Sequence, residues 1–254
     1  MGRRNVRVED SDRWVFNRLA PFYRLRPAYP PAVVDYLVGL TVPEASVVDL
    51  GAGTGSLSVP LAERGLRVSA VEPSQAMLSE LCTEAAARNL PIQAVHAAAE
   101  CTGLGAGAFE LALIADALHW LDAERAGAEV ARLLAPGGSC AVVEVRLRET
   151  PFVQALQSRI RKANPKAAAS AGTRQEQLLA LAVPRSRCRA CEHFSVTDRL
   201  DAEQLRGTLC SLSYVGPAIG PAALESLLAE VRELADDDGG AEWPREITVT
   251  SVAG

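Results

Sequence analysis

The sequence predicts an α/β protein built on a doubly wound, mostly parallel sheet. Between about residues 45 and 146, short apolar runs alternate with helical patterns. Such a βα repeat makes right-handed crossovers and a parallel sheet covered on both faces. The runs "ASVVDL", "LRVSAVE" and "FELALIAD" are apolar through most of their length, as burial on both faces requires. A glycine-rich turn, "DLGAGTG", links the first run to the first helical stretch.

The chain has 254 residues, 48% hydrophobic and 22% charged, enough for a sizeable core without cross-links. Net charge is −5 and the pI is about 5.4, which argues against nucleic acid as the main partner. "MGRRNVRVEDSDRW" lacks the apolar stretch of a signal peptide, and no run is long enough to span a membrane. A cytoplasmic protein without a membrane partner is expected, acting on a small molecule as a monomer or homodimer.

The elements follow in order. Residues 1–43 form an N-terminal cap segment in which "PAVVDYLVGL" is helical. Residues 44–150 are the ligand-binding core. There "ASVVDL" is a strand and "SLSVPLAERG" a helix stopping at Gly65. "LRVSAVE" is the second strand, and "PSQAMLSELCTEAAARN" the next helix. "PIQAVHA" is the third strand, then a loop, "AAAECTGLGAGA", then "FELALIAD". A helix capped by Asp122 stops at Pro136-Gly137-Gly138 before the fifth strand, "SCAVVEVRL". Residues 151–183 are a helical cap insertion broken near "KANPKAAASAGT". Residues 184–254 complete the sheet with strand candidates at 188–197 and "REITVTSV". Helical patterns at 201–211 and 221–236 lie between them, and Asp236–Asp238 read as a solvated turn.

Cysteines stand at 82, 101, 140, 188, 191 and 210. In "CRACEH", Cys188, Cys191 and His193 have the donor types of a zinc site, but no second CxxC supplies the remaining ligand. The alternation there fits a strand, and no metal is expected.

Glycines at 51, 53 and 55 let the chain turn sharply and remove the Cβ atoms that would hold a ligand away. Glu72 closes the second strand, 21 residues after Gly51. An acid there accepts hydrogen bonds from ribose hydroxyls. The spacing is GxGxG rather than the dinucleotide GxGxxG, and no phosphate-holding lysine accompanies it. S-adenosylmethionine fits this pattern better than a pyrophosphate cofactor such as NAD.

"VVDLGAGTGSLS", "VEPS", "HAAAE", "FELALIADALHWLD" and "LLAPGGSCAVVE" resemble, in order and spacing, the class I S-adenosylmethionine-dependent methyltransferases. That resemblance implies the family's Rossmann-like, seven-stranded sheet with helical cap elements, and S-adenosylhomocysteine as product. The flanks "YRLRPAYP", "ALHWLD" and "LCSLSYVGP" are similar to small-molecule methyltransferases related to trans-aconitate methyltransferase. By resemblance, Gly51, Ala52, Gly53 and Gly55 lie under the methionine and ribose portion. Asp49 holds the loop and the amino group, and Glu72 the ribose. Pro73, Ser74 and Met77 edge the adenine, which Ala99 and Glu100 face from the other side. Asp116 and Leu118 pass the sulfonium end.

Methyl transfer from a sulfonium needs alignment, and a base only if the acceptor carries a proton. His119, beside the expected sulfonium, is the candidate base, since an imidazole titrates near neutrality. Packing beneath the cofactor is the competing reading. Asp116 is the second catalytic candidate. It replaces the uncharged polar residue usual in the group, and it disfavours a carboxylate acceptor by repulsion. Tyr23, Arg26, Tyr29, Trp120, Arg146 and Tyr214 are candidates for the acceptor side, Arg26 through bidentate binding of a carboxylate. The group resemblance, with His119 and Arg26, implies O-methylation of a small molecule in bacterial specialised metabolism. N- or C-methylation and a non-methylating, cofactor-binding use of the fold are the alternatives.

Overall fold

The computed structural model describes residues 13–165, 172–184, 188–238 and 240–254. Strands β1 (Ser46–Leu50), β2 (Arg67–Val71), β3 (Gln93–Val95), β4 (Phe109–Ala115), β5 (Leu134–Leu147), β6 (Cys188–Leu200) and β7 (Ala241–Ala253) form one sheet. Their order is β3-β2-β1-β4-β5-β7-β6. The pairs β3-β2, β2-β1, β1-β4 and β4-β5 are parallel. Only β7 runs against its neighbours, antiparallel to both β5 and β6. The predicted doubly wound, mostly parallel seven-stranded sheet is therefore present.

Helices cover both faces, as the doubly apolar strands require. On one face, Ala112, Ile114, Val142 and Val252 pack against α5 (Ala123–Leu133) and α7 (Gly172–Ala182) through Val130, Leu133 and Leu178. On the other, Val47, Leu111, Val143 and Ile247 meet α2 (Pro31–Gly39) and α3 (Ser58–Glu63). Helix α5 shows how sequence sets an element here. Asp122 accepts from the backbone N–H groups of Glu124 and Arg125, and Ala126, Val130 and Leu133 form the apolar stripe. Burying Leu133 completely contributes about 2 kcal/mol. A third cluster, centred on Trp243, gathers α6 (Pro151–Ala163), α8 (Ala202–Ser211) and α9 (Pro221–Arg232).

Several boundaries differ from the sequence reading. Helix α5 ends at Leu133 and β5 begins at once, so Pro136-Gly137-Gly138 lies inside a strand. A bulge between Phe109 and Leu111 of β4 absorbs the irregular residues. The third strand is short, and β7 begins earlier than "REITVTSV". Asp236 and Asp238 are exposed but paired, both with Arg199.

The larger surprise is α1 (Arg13–Tyr23), which the sequence did not mark as a helix. It lies against α4 (Gln75–Ala87), with Leu19 and Ala20 packed on Met77. Asn17 Oδ1 accepts from the Ser74 hydroxyl at 2.7 Å and from the Ala76 N–H at 3.3 Å.

A strap, residues 24–30, then runs past α8 to β7. Arg245, 4% exposed, binds the Ala28 carbonyl at 2.7 Å and the Asp198 carboxylate at 2.7 Å. The Thr208 hydroxyl donates to the Leu25 carbonyl. Gly207 allows this approach, because a Cβ there would stand 2.2 Å from Leu25. Arg245→Ala leaves a half-sheltered carboxylate and a strap carbonyl without their donor. We expect it to lower the unfolding free energy by about 2–3 kcal/mol. Chemical denaturation measures this, and an unchanged midpoint would remove the clamp from the account.

Candidate cofactor and active site

Every candidate from the core lies where an open α/β sheet binds ligands, beyond the carboxyl ends of its parallel strands. Register pairs Asp49 with Ala70 and Leu50 with Val71. That places Asp49 and Glu72 on neighbouring strand ends. Gly51, Gly53 and Gly55 all have positive φ, at 78°, 58° and 88°. Gly51 is doubly constrained, since a Cβ there would lie 2.7 Å from that of Ala117. This contact joins the first loop to the turn after β4.

Glu72 is 6% exposed and organises the loop. One carboxylate oxygen accepts from Gly53 N–H at 2.9 Å, the other from Ser74 N–H at 2.8 Å. Asp49 is 2% exposed. Its Oδ2 accepts from the Ser58 hydroxyl at 2.6 Å. Its Oδ1 is buried and, among the described residues, has no hydrogen-bond partner, which costs about 1–3 kcal/mol. Burial pushes the Asp49 carboxyl up to about 6, with the Ser58 hydrogen bond opposing and the Glu72 charge adding to the rise.

Two sheltered carboxylates beside a glycine cradle, one with an orphaned oxygen, suit a ligand that brings a cation and hydroxyl donors. The ammonium and ribose of S-adenosylmethionine are such groups, and the residues fit it. The raised Asp49 value also has a sign. Folding strengthens proton binding, so this group's contribution to stability is greatest below the unfolded value near 3.8 and falls as pH rises through about 6. Ligand affinity runs the other way, because an ammonium needs the ionised form. S-adenosylhomocysteine should bind about tenfold more weakly at about pH 5 than at about pH 7.5. Asp49→Asn should flatten that dependence in calorimetric titrations, and a dependence that persists would detach Asp49 from the ligand.

The candidates for the adenine side lie between α1, α4 and α5. Met77 is buried under α1, with its sulfur 3.9 Å from where a Gly53 Cβ would be. Ser74 serves as N-cap of α4 and donor to Asn17. The Pro73 carbonyl is held by His96 Nε2 at 3.0 Å. Ala99 is buried, and Glu100 accepts from Asp122 N–H at 3.0 Å, which ties this loop to α5.

At the reactive end the chain leaves β4 through Asp116, whose φ is +51°. This left-handed turn costs a non-glycine residue about 1 kcal/mol. It leads into a 3₁₀ turn, Leu118–Trp120. Asp116, Leu118 and His119 line a cavity of about 110 Å³ with Glu144 and Arg146 of β5. Asp116 and His119 are exposed to the cleft, and Arg146 pairs with Glu144 at 3.6 Å.

The tyrosines converge on this end. Burial raises the Tyr23, Tyr29 and Tyr214 hydroxyls, and the Asp116 charge raises each further. Tyr29 packs against the core rather than lying open, whereas Tyr214 is 44% exposed. The Arg26 guanidinium stacks 4.0 Å from the Tyr23 ring centre. Its Nε and one terminal nitrogen donate to Ser211, at 2.7 and 2.8 Å. Those bonds occupy much of the fork that the sequence reading reserved for a carboxylate.

Phe16 meets Trp120 edge-on at 5.0 Å and Tyr23 at 6.5 Å, so α1 roofs the cleft with rings. Phe16, Asn17, Ser58, Ser211 and Arg245 were missed from sequence. Only Ser58, in the first turn after the loop, had a local cue.

In "CRACEH", β6 forms as expected, and the side chain of Cys188 lies outside the described residues. Among the described residues, no group of three or more His, Cys, Asp or Glu is arranged to hold a metal ion. Nor is any described helix long and apolar enough to cross a membrane.

Residues 47–138 match the family model described as a methyltransferase domain. An uncharacterized methyltransferase of Mycobacterium tuberculosis is 43% identical over 123 residues, 48% of each protein. A ubiquinone biosynthesis O-methyltransferase of Caulobacter is 37% identical over 94 residues, 36% of this chain and 37% of that one. The chain spans about half the length, or less, of the curated relatives it matches. In fold, a proposed type II methyltransferase from Anaeromyxobacter dehalogenans superposes with a TM-score of 0.61 at 23% identity. The match covers 90% of this chain and 97% of that one. The glycine cradle, the paired acids and the strand order agree with these matches: residues 47–138 are similar to the methyltransferase domain, and the whole chain has the fold of S-adenosylmethionine-dependent methyltransferases.

Proposed function

We propose that the protein transfers a methyl group from S-adenosylmethionine to a hydroxyl oxygen of a small molecule. The observation that carries this reading is the cavity that His119 and Asp116 line together, on the turn after β4 that Gly51 of the glycine loop approaches at Ala117. When bound, the cofactor supplies an activated methyl group on a sulfonium.

The chain's own residues do the rest. Glu72 accepts from the ribose hydroxyls and Asp49 Oδ1 from the ammonium. The α1 rings, Phe16 and Tyr23 with Trp120, shut water from the cleft. His119 takes the proton that the acceptor hydroxyl loses as its oxygen is alkylated. Asp116 and Glu144 disfavour a carboxylate acceptor by repulsion. The name of the Caulobacter relative, an O-methyltransferase, is in keeping with oxygen as the acceptor atom. The flank resemblance supports bacterial specialised metabolism as the setting.

A second reading, an amine acceptor, draws on Asp116, whose exposed carboxylate stands among tyrosines that attract a cation. The test is label transfer from methyl-labelled S-adenosylmethionine to matched panels of phenols and alcohols, carboxylic acids, and amines. Transfer to the hydroxyl panel supports the proposal. Transfer confined to amines replaces it with the second reading, and transfer confined to acids contradicts both.

A further inference from the structure

Outside the cleft, the pairing of β6 with β7 assembles a second group of reactive side chains. Cys191 stands opposite Thr250, His193 opposite Thr248, and Ser195 opposite Glu246. Alternation puts all six side chains on one face of the sheet, where Cys191, His193 and Ser195 are exposed. They are joined in sequence. The Ser195 hydroxyl donates to one oxygen of Glu246. The other Glu246 oxygen lies 3.6 Å from His193 Nδ1, which is also 3.2 Å from the Thr248 hydroxyl. On the far side of the ring, His193 Nε2 lies 3.5 Å from Cys191 Sγ. The Thr250 hydroxyl donates to that sulfur at 3.8 Å.

The order of these contacts has a chemical meaning. A carboxylate beside Nδ1 favours the tautomer that carries its proton there. Nε2 then offers its lone pair to the thiol S–H. A nucleophile, a base against it and a third group orienting the base is the arrangement that activates a weak nucleophile. Ser195 in turn fixes Glu246, and Thr250 supplies a hydrogen bond to developing charge on sulfur.

We propose that Cys191 is a reactive thiol, a covalent modification site for soft carbon electrophiles, with His193 as its base. In the step itself, the thiol proton passes to His193 Nε2. The sulfur electron pair forms a bond to the electrophilic carbon. With a haloacetamide, the carbon–iodine bond breaks and iodide leaves with its electron pair. Nothing in this step involves the methyl-transfer cleft. The two are nevertheless close, because register carries Thr248 to Glu144 and Glu246 to Arg146. Cys191 itself maps through Thr250 to Val142, the neighbour of Val143 in the cavity wall, so an adduct there stands about 10 Å, or two strand spacings, from β5.

The other cysteines provide internal references. Cys140 and Cys210 are buried, and burial pushes the Cys140 thiol up to about 12. Cys82 is exposed on α4. The test is alkylation of the full chain with iodoacetamide, followed peptide by peptide by mass spectrometry. Cys191 should react at least about tenfold faster than Cys82. His193→Gln should bring it within about twofold of Cys82, and Glu246→Gln should lower it by about threefold. A Cys191 rate already within twofold of Cys82 in the unsubstituted protein overturns the proposal, even if a variant fails to fold. So does an unchanged rate in folded His193→Gln protein.

Discussion

Glu72→Ala should weaken binding of S-adenosylhomocysteine by about 100-fold or more. The carboxylate is buried and accepts from Gly53 N–H and Ser74 N–H. Removing it strands two backbone donors at about 1–3 kcal/mol each. It also removes the acceptor for the ribose hydroxyls. The loop and the first turn of α4 lose their common anchor together. Glu72→Gln cannot rescue this fully, because its amide nitrogen would face a backbone donor. Calorimetric titration measures the affinity, and thermal denaturation of the same samples separates a lost ligand contact from a collapsed loop. Near-unchanged affinity in the alanine variant would overturn the ribose assignment.

His119→Ala should lower turnover on a hydroxyl acceptor by about 10²–10⁴-fold. Cofactor affinity should stay within about twofold, because the glycine loop is held by Glu72 and by the approach of Gly51 to Ala117. The side chain is exposed to the cleft on the short 3₁₀ turn after β4 and lines the cavity with Asp116. Its ring also lies 5.2 Å from that of Trp120. His119→Gln keeps most of the bulk beside Trp120 and loses the base, so it should follow alanine if proton transfer is the role. If glutamine restores turnover, His119 positions Trp120 and the acceptor gives up no proton in the step.

Much of the cofactor half was readable in the chain because its constraints are local. A strand that must turn beside a ligand requires glycine, so Gly51, Gly53 and Gly55 announce the loop. An acid closing the next parallel strand is brought beside it by register alone, so Glu72 followed. The roof was not readable, because its contacts span long separations. Asn17 meets Ser74 across 57 positions, and Arg26 meets Ser211 across 185. Pro21 inside α1 further weakened the helical pattern.

Arg245 shows the same limit in another way. At the start of a strand a charged residue reads as solvent-facing, and only the strap that crosses it makes it buried. The early start of β5 escaped because Pro136 and Gly137 suit turns, whereas the bulge against β4 accommodates them. In "CRACEH" the alternation identified the strand. What the alternation aligns, Cys191 and His193 with Glu246, depends on the partner strand.

We propose that the glycine loop, Asp49 and Glu72 together form a site for S-adenosylmethionine. Calorimetric titration of the full chain with S-adenosylmethionine, S-adenosylhomocysteine and NAD tests it most directly. Saturable one-to-one binding of the first two, lost in Glu72→Ala, and no heat from NAD are expected. Binding of NAD alone, or of none of the three, would mean that the loop serves another ligand or only turns the chain.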